Sequence, residues 1–233
     1  MRAGLVLLLT AFAAGQTTGK PATGKPAAPP MRIFTDSALR LTFSYPAELT
    51  PADPKAAAAL GQRILYGEDA GGSDRPKAGA GCTRTLLAVG ADPGPGGPVM
   101  ARLALFEIDL RCLPPKAARN RKLMDQVLHG LAAQGNAVLG MMAIEEPVGF
   151  LLQGHHAFFA SAQGTPVSRS ALQSGQPEVT ATVAAEVEGS DGQRKILAWY
   201  VASNQAALFN RLLACPVEIG TGQAQALFPA EVR

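Results

Sequence analysis

Asp191-Gly192 lies between two runs of strand-forming residues, Thr180-Ala-Thr-Val-Ala-Ala-Glu-Val187 and Lys195-Ile-Leu-Ala-Trp-Tyr-Val201. Asp-Gly readily supplies the pair of positive φ angles that a tight hairpin turn needs, so the two runs are expected to pair antiparallel. A two- or four-residue loop centred there sets Glu188 opposite Lys195, Val187 opposite Ile196, Val183 opposite Tyr200 and Thr182 opposite Val201. Each such pair adds roughly 0.2 to 1 kcal/mol. The second run is apolar at alternate positions of both parities, which predicts a central strand covered on both faces. After it, Ser203 or Asn204 can cap a short amphipathic helix carrying Leu208, Phe209, Leu212 and Leu213, which ends before Pro216.

The rest of the chain supplies more strands and two longer helices. Leu39, Leu41, Phe43 and Tyr45 alternate along one face of a half-buried strand ending at Pro46. Pro54 to Leu65 is alanine-rich and opens on a proline at a position where a first helical turn tolerates one, so it predicts a helix. A helix is also expected over Asn120 to Gln134, with Leu123, Val127 and Leu131 as its stripe, Met124 and Leu128 beside it, and Gly135-Asn136 as its end. A further strand is expected at Ala157 to Ala162. The tail can pack Leu227, Phe228 and Val232 back on the domain. Gly67 to Gly81 and Gly164 to Pro177 read as surface loops.

Cys82 to Val89 and Ala101 to Cys112 form a second strand pair around the Gly and Pro run from Asp92 to Pro98. If Cys82 opposes Cys112, Leu86 meets Ile108 and Ala88 meets Phe106 on one apolar face, a coincidence that favours a Cys82–Cys112 disulfide. Closing such a loop stabilises by roughly 3 to 4 kcal/mol in the chain-entropy model. Three cysteines allow other pairings. In this one Cys215 is left as a buried thiol, and a Cys215 bridge is the rival.

The N-terminus carries the layout of a secretory signal at residues 1–15: one arginine, a short apolar run and small residues at its end, too short to span a membrane. Residues 16–30, with Thr-Gly-Lys-Pro-Ala repeated in tandem, read as a low-complexity linker, and residues 31–233 as one domain. An exported chain meets an oxidising compartment, consistent with a disulfide. No other segment reads as a membrane span. The formal net charge of +3, with no block of like charges, argues against a nucleic-acid partner.

Chemistry-bearing groups are sparse. His155-His156, with Glu145 and Glu146 ten residues earlier, is the one cluster that can be drawn as a metal site. Adjacent histidines on a strand face opposite sides, however, and no helix carries a His-Glu-x-x-His pattern. Ser161 lacks the flanking glycines of a nucleophile elbow, and His129 has no companion four residues on.

A strand ending in Phe43-Ser-Tyr-Pro46, then helix, hairpin, long helix, a strand at Gly154 to Ala162, a hairpin containing Ala198-Trp-Tyr-Val201, a helix and a short final strand resembles the Mog1/PsbP-like family. The Trp often found after the opening Tyr-Pro is absent here. The resemblance implies an α/β/α sandwich, a largely antiparallel sheet covered by helices, and a noncatalytic accessory or binding role without a cofactor. The fold class expected is therefore α+β. The function expected is an exported, noncatalytic binding or accessory protein of the cell envelope, secreted or periplasmic, a monomer whose partner is an unidentified protein or small ligand. The alternative is an envelope hydrolase or metal-dependent enzyme using His155 and Glu145.

Overall fold

The computed structural model describes residues 29–66, 81–91, 101–137, 143–164 and 178–228. The signal expectation, the loop expectations apart from Gly81 and Gly164, and the placement of Val232 fall outside these residues, as does most of the linker.

Among the described residues the chain forms twelve strands and three α-helices. In order they are β1 (Met31–Asp36), β2 (Leu41–Pro46), β3 (Thr50–Pro51), α1 (Pro54–Tyr66), β4 (Thr83–Ala91), β5 (Ala101–Ile108) and α2 (Arg121–Ala137). Then come β6 (Ala143–Ile144), β7 (Val148–Leu152), β8 (His155–Gly164), β9 (Glu178–Glu188), β10 (Arg194–Ser203), α3 (Ala206–Leu213), β11 (Pro216–Ile219) and β12 (Gln225–Ala226). Every pairing is antiparallel. The main sheet runs β3-β4-β5-β10-β9-β8-β6, with β7 also on β8, and a second sheet runs β1-β2-β11-β12. The fold is thus α+β and dominated by antiparallel sheet.

The two faces of the main sheet bury separate cores. One holds Ala104, Phe106, Ile108, Ala184, Ile196, Ala198 and Tyr200 against Ile64 and Leu65 of α1 and Met124, Leu128 and Leu131 of α2. The other holds Leu103, Leu105, Val183, Leu197, Trp199 and Val201 against Leu41 and Phe43 of β2, Leu212 and Leu213 of α3, and Val217 and Ile219 of β11. So helices cover one face, while the other is covered chiefly by the second sheet, with α3 beside it. The alternation Leu41, Phe43, Tyr45 is what lets β2 turn one apolar face onto the main sheet. β10 lies between β5 and β9 with both faces buried, the environment its continuous apolar run requires.

Several sequence expectations shift by a residue or a turn. β10 pairs with β9 through Arg194↔Glu188, Trp199↔Val183 and Tyr200↔Thr182, one position away from the pairing expected of a loop centred on Asp191-Gly192. The turn holds five residues, closed by the Gly189 amide donating to the Gln193 carbonyl at 2.8 Å, with Gly192 at φ +72°. Ser190 donates to the Ala38 carbonyl at 2.7 Å, anchoring this turn on the β1–β2 connection. The β4–β5 register also differs: Thr83 opposes Ile108 and Thr85 opposes Phe106, with an irregularity before Leu87↔Leu105. α2 runs through Gly135 instead of stopping there. Its stripe is rotated, with Met124, Leu128 and Leu131 buried and Leu123 and Val127 at its margin. The glycine serves close packing: a Cβ at Gly135 would lie 2.1 Å from Thr182 Oγ1.

Helix starts follow their caps. Asp53 accepts from the Lys55 and Ala56 amides ahead of α1, and Asn120 accepts from the Leu123 amide ahead of α2. α3 is the exception: its N-cap is Gln205, which makes no side-chain cap hydrogen bond, instead of the expected Ser203 or Asn204, and Ser203 Oγ accepts from the Gln205 amide at 3.1 Å just ahead of the helix.

Candidate functional site

Cys82 and Cys112 are joined by a disulfide, with Cα atoms 5.7 Å apart. They do not face each other across the ladder, as the expected register required. β5 ends at Ile108, and a single 3-10 turn at Leu110–Cys112, capped by Asp109, folds Cys112 back toward Cys82, whose carbonyl accepts from the Asp109 amide at 2.9 Å. The side-chain hydrogen bonds from Arg111 hold the Asp109 carboxyl below the usual carboxylate range. Cys215 is a free, buried thiol behind α3, donating to the Arg211 carbonyl at 3.5 Å. Burial pushes its pKa up to about 12, against a smaller opposing pull from Arg211, so it is a poor nucleophile at neutral pH.

The histidines and carboxylates do not converge. His155 sits at the start of β8, opposite Leu152. Glu145 lies at the other half of that strand, its amide donating to the Ser161 carbonyl and its carboxylate accepting from Ser161 Oγ. Ser161 lies six strand steps from His155, roughly 20 Å. The His155–Glu145 pair of the enzyme alternative is therefore not assembled. His156 points to the opposite face, where Nδ1 meets Asp125 of α2 at 3.3 Å. His129, one turn further along α2, meets Glu146 at 3.2 Å and stacks edge-on against Phe158. These pairs pin the α2 edge to β8, and among the described residues no three His, Cys, Asp or Glu side chains form a metal cluster.

The polar groups that stand out are ones the sequence reading passed over. On the helix-facing side of the main sheet, Glu178 and Thr182 alternate along β9, and Tyr200 of β10 is the register partner of Thr182. Glu178 is 2% exposed and Tyr200 1%, and Thr182 is fully enclosed. Among the described residues, Glu178 Oε1, Thr182 Oγ1 and Tyr200 OH find no hydrogen-bond partner. Burial raises the Glu178 carboxyl pKa, with Arg102 of β5 pulling the other way, and burial raises the Tyr200 phenol pKa strongly. Polar residues at alternate strand positions read as a solvent face in sequence; these are buried instead, with Gly135 of α2 packed on Thr182. The usable signal was Gly135, a glycine late in a helix that has to approach a sheet.

Gln153 is the second residue missed. With Gly154 it forms the two-residue turn between β7 and β8, at φ +53° and +81°. Its side chain reaches the second sheet, donating to the Val217 carbonyl and accepting from the Ile219 amide, each at 2.7 Å, and donating also to Gln223. Its own amide donates to Gln225 Oε1 at 2.9 Å. The amide group thus completes the ladder of β11 and fastens the two sheets together.

Two rim strands carry exposed apolar side chains: Ile33 (68%) and Met31 (40%) on β1, and Leu151 and Val148 on β7. β1 is the outermost strand of the second sheet.

No protein-family model matches the chain, and no curated protein does. Among solved structures it is similar to LpqN, a protein involved in cell envelope biogenesis of Mycobacterium tuberculosis, with 13% sequence identity and a TM-score of 0.31. The match covers 52% of this chain and 66% of that one, just under two thirds of the LpqN chain. An overlap so shallow carries no inference about role.

Proposed function

We propose that this chain is an exported, noncatalytic binding or accessory protein of the cell envelope, secreted or periplasmic. In this reading residues 1–15 are its signal, 16–30 its linker and 31–233 one domain. The observation that carries the binding role is β1, a six-residue rim strand whose outward side chains Met31 and Ile33 are exposed and apolar. Natural sheets blunt such edges with charge, proline, bulges or a covering element. Here β4 is blunted by the two-residue β3 carrying Pro51, while among the described residues nothing covers the outer edge of β1. An uncovered edge of this kind suits strand addition by an extended segment of a partner protein. The disulfide supports an oxidising compartment.

The layering supports the Mog1/PsbP-like plan of an α/β/α sandwich to the extent that α1 and α2 cover one face and α3 lies on the other. The enzyme alternative is disfavoured by the separation of His155 from Glu145 and by the buried state of Cys215. The test is site-specific photocross-linking in the native envelope, with the reactive group at residue 33 and a control at the exposed Arg63 of α1. A discrete adduct at residue 33, absent from the control and lost when Thr35 is also replaced by Pro to spoil strand pairing, supports the reading. Uniform labelling at both positions, or none at residue 33, overturns it.

A further inference from the structure

β1 turns the backbone of its odd-numbered residues to the open edge. The Ala47 amide donates to the Pro30 carbonyl, so this is a hydrogen-bonded pair of the β1–β2 ladder, continued by Arg32 with Tyr45, Phe34 with Phe43 and Asp36 with Leu41. Alternation leaves the amides and carbonyls of Met31, Ile33 and Thr35 directed away from β2. Side chains alternate in the same way. Arg32, Phe34 and Asp36 share the core-facing side of Leu41, Phe43 and Tyr45, while Met31, Ile33 and Thr35 are exposed on the other.

The strand is complementary to itself. Laid antiparallel on a second copy with Phe34 opposite Phe34, the run Arg32-Ile-Phe-Thr-Asp36 sets Arg32 against Asp36 and Ile33 against Thr35 on both sides of the centre. Opposite charges, β-branched pairs and aromatic pairs are all favourable cross-strand combinations. Ile33 and Thr35 are then hydrogen-bonded partners exchanging both backbone bonds, and Phe34 falls at a non-hydrogen-bonded pair, where side chains come closest. A shift that put Arg32 against Arg32 would oppose like charges, so the charges select the register as well as the partner. Asp36 is already fixed in place, Oδ1 accepting from the Leu39 amide at 3.1 Å and Oδ2 lying 3.5 Å from Arg84. Arg32 is exposed and donates to the Leu49 carbonyl at 3.4 Å.

We propose that the strand added to β1 is β1 of a second copy, the two four-stranded sheets joining across a two-fold axis centred on Phe34. This rests on the strand-addition reading above and names its partner, in place of the monomer expected from the sequence. Such pairing closes at two copies, because it uses the same edge of each. A contact made by six-residue strands is small beside the roughly 1,600 Å² of a standard interface, so the dimer forms in a concentration-dependent way.

The test is sedimentation equilibrium of the exported chain from about 10 μM to about 1 mM, a range suited to a contact of that size. Arg32→Asp and Asp36→Arg each set like charges opposite one another and are each expected to weaken dimerisation about tenfold or more, whereas an equimolar mixture of the two re-forms opposite pairs and recovers it. Thr35→Pro deletes an outward amide, leaves the bonds of Arg32, Phe34 and Asp36 to β2 in place, and is expected to abolish the dimer. A parent chain that stays monomeric, a dimer that persists in Arg32→Asp or in Thr35→Pro, or a mixture of folded variants that stays monomeric would each overturn the proposal. Should Asp36→Arg not fold by circular dichroism, Arg32→Asp and Thr35→Pro decide. Adducts from residue 33 separate this proposal from the reading beneath it. An adduct of two copies supports both. An adduct with a different protein, from a chain that stays monomeric, overturns the second copy and leaves strand addition standing; a monomeric chain with no adduct overturns both.

Discussion

Replacing Gln153 separates the role of its side chain from that of its turn. Gln153→Ala removes the donor to Val217 and the acceptor for Ile219, two backbone groups of buried β11 residues. Leaving a buried polar group unpaired costs about 1 to 3 kcal/mol, so two lost together give roughly 2 to 6 kcal/mol. In a domain of this size each kcal/mol lowers Tm by about 2 to 4 °C, which puts the expected fall at roughly 4 to 24 °C. Gln153→Gly supplies the internal control. Glycine adopts the observed φ of +53° without penalty, so it recovers about 1 kcal/mol of backbone strain while losing the same hydrogen bonds. The expected order is therefore parent, then Gly, then Ala. Differential scanning calorimetry reads the order, and amide exchange at Ile219 locates the loss in β11. A Gly variant as stable as the parent, with Ile219 still protected, would refute the clasp and reduce Gln153 to a turn residue.

Three further outcomes follow from the packing and the cysteines. Gly135→Ala drives a methyl onto Thr182 and, after the roughly 1 kcal/mol that alanine gains in a helix, nets a loss of about 0.5 to 2 kcal/mol. Because Thr182→Ala clears Oγ1 and Cγ2 but leaves Cβ 2.8 Å away, the double variant recovers part of that loss in a denaturation cycle, and strict additivity would refute the contact. Cys82→Ser with Cys112→Ser opens a link spanning 30 residues and lowers stability by about 3.5 kcal/mol, read by urea denaturation; a loss under 1 kcal/mol would show that the link adds little. Cys215, with its pKa near 12, is expected to react with iodoacetamide at pH 8 about a thousandfold more slowly than an exposed thiol, the rate rising tenfold per pH unit; fast labelling of the folded chain would show that the thiol is accessible.

Legibility followed the range of the forces involved. α1 was visible because Pro54 and a run of alanines act locally along the helix. β2 and β10 were visible because alternation and continuous apolarity report directly on one or two buried faces. β1 escaped notice because Met31-Arg-Ile-Phe-Thr-Asp36 is short and mostly exposed, and it becomes a strand by pairing with β2. The β9–β10 register missed by one because Asp-Gly marks a turn without counting its residues; the anchoring of Ser190 on Ala38 accompanies the five-residue form. The cysteine pair was suggested by a register that does not occur, and the link is made instead by the 3-10 turn after β5.

By itself, then, the sequence determined the elements whose causes are local: strand and helix types, the hairpin and an α+β composition. It also showed that Cys82 and Cys112 flank two strands that pair. Only the tertiary structure decided that a second sheet shares the far face with α3, that Gln153 fastens that sheet to the first, and that Glu178, Thr182 and Tyr200 end up buried. Each of those depends on contacts between residues remote in the chain. Whether a polar side chain meets water or a buried neighbour is set by which helix comes to lie over it, and no pattern of spacing along one strand records that.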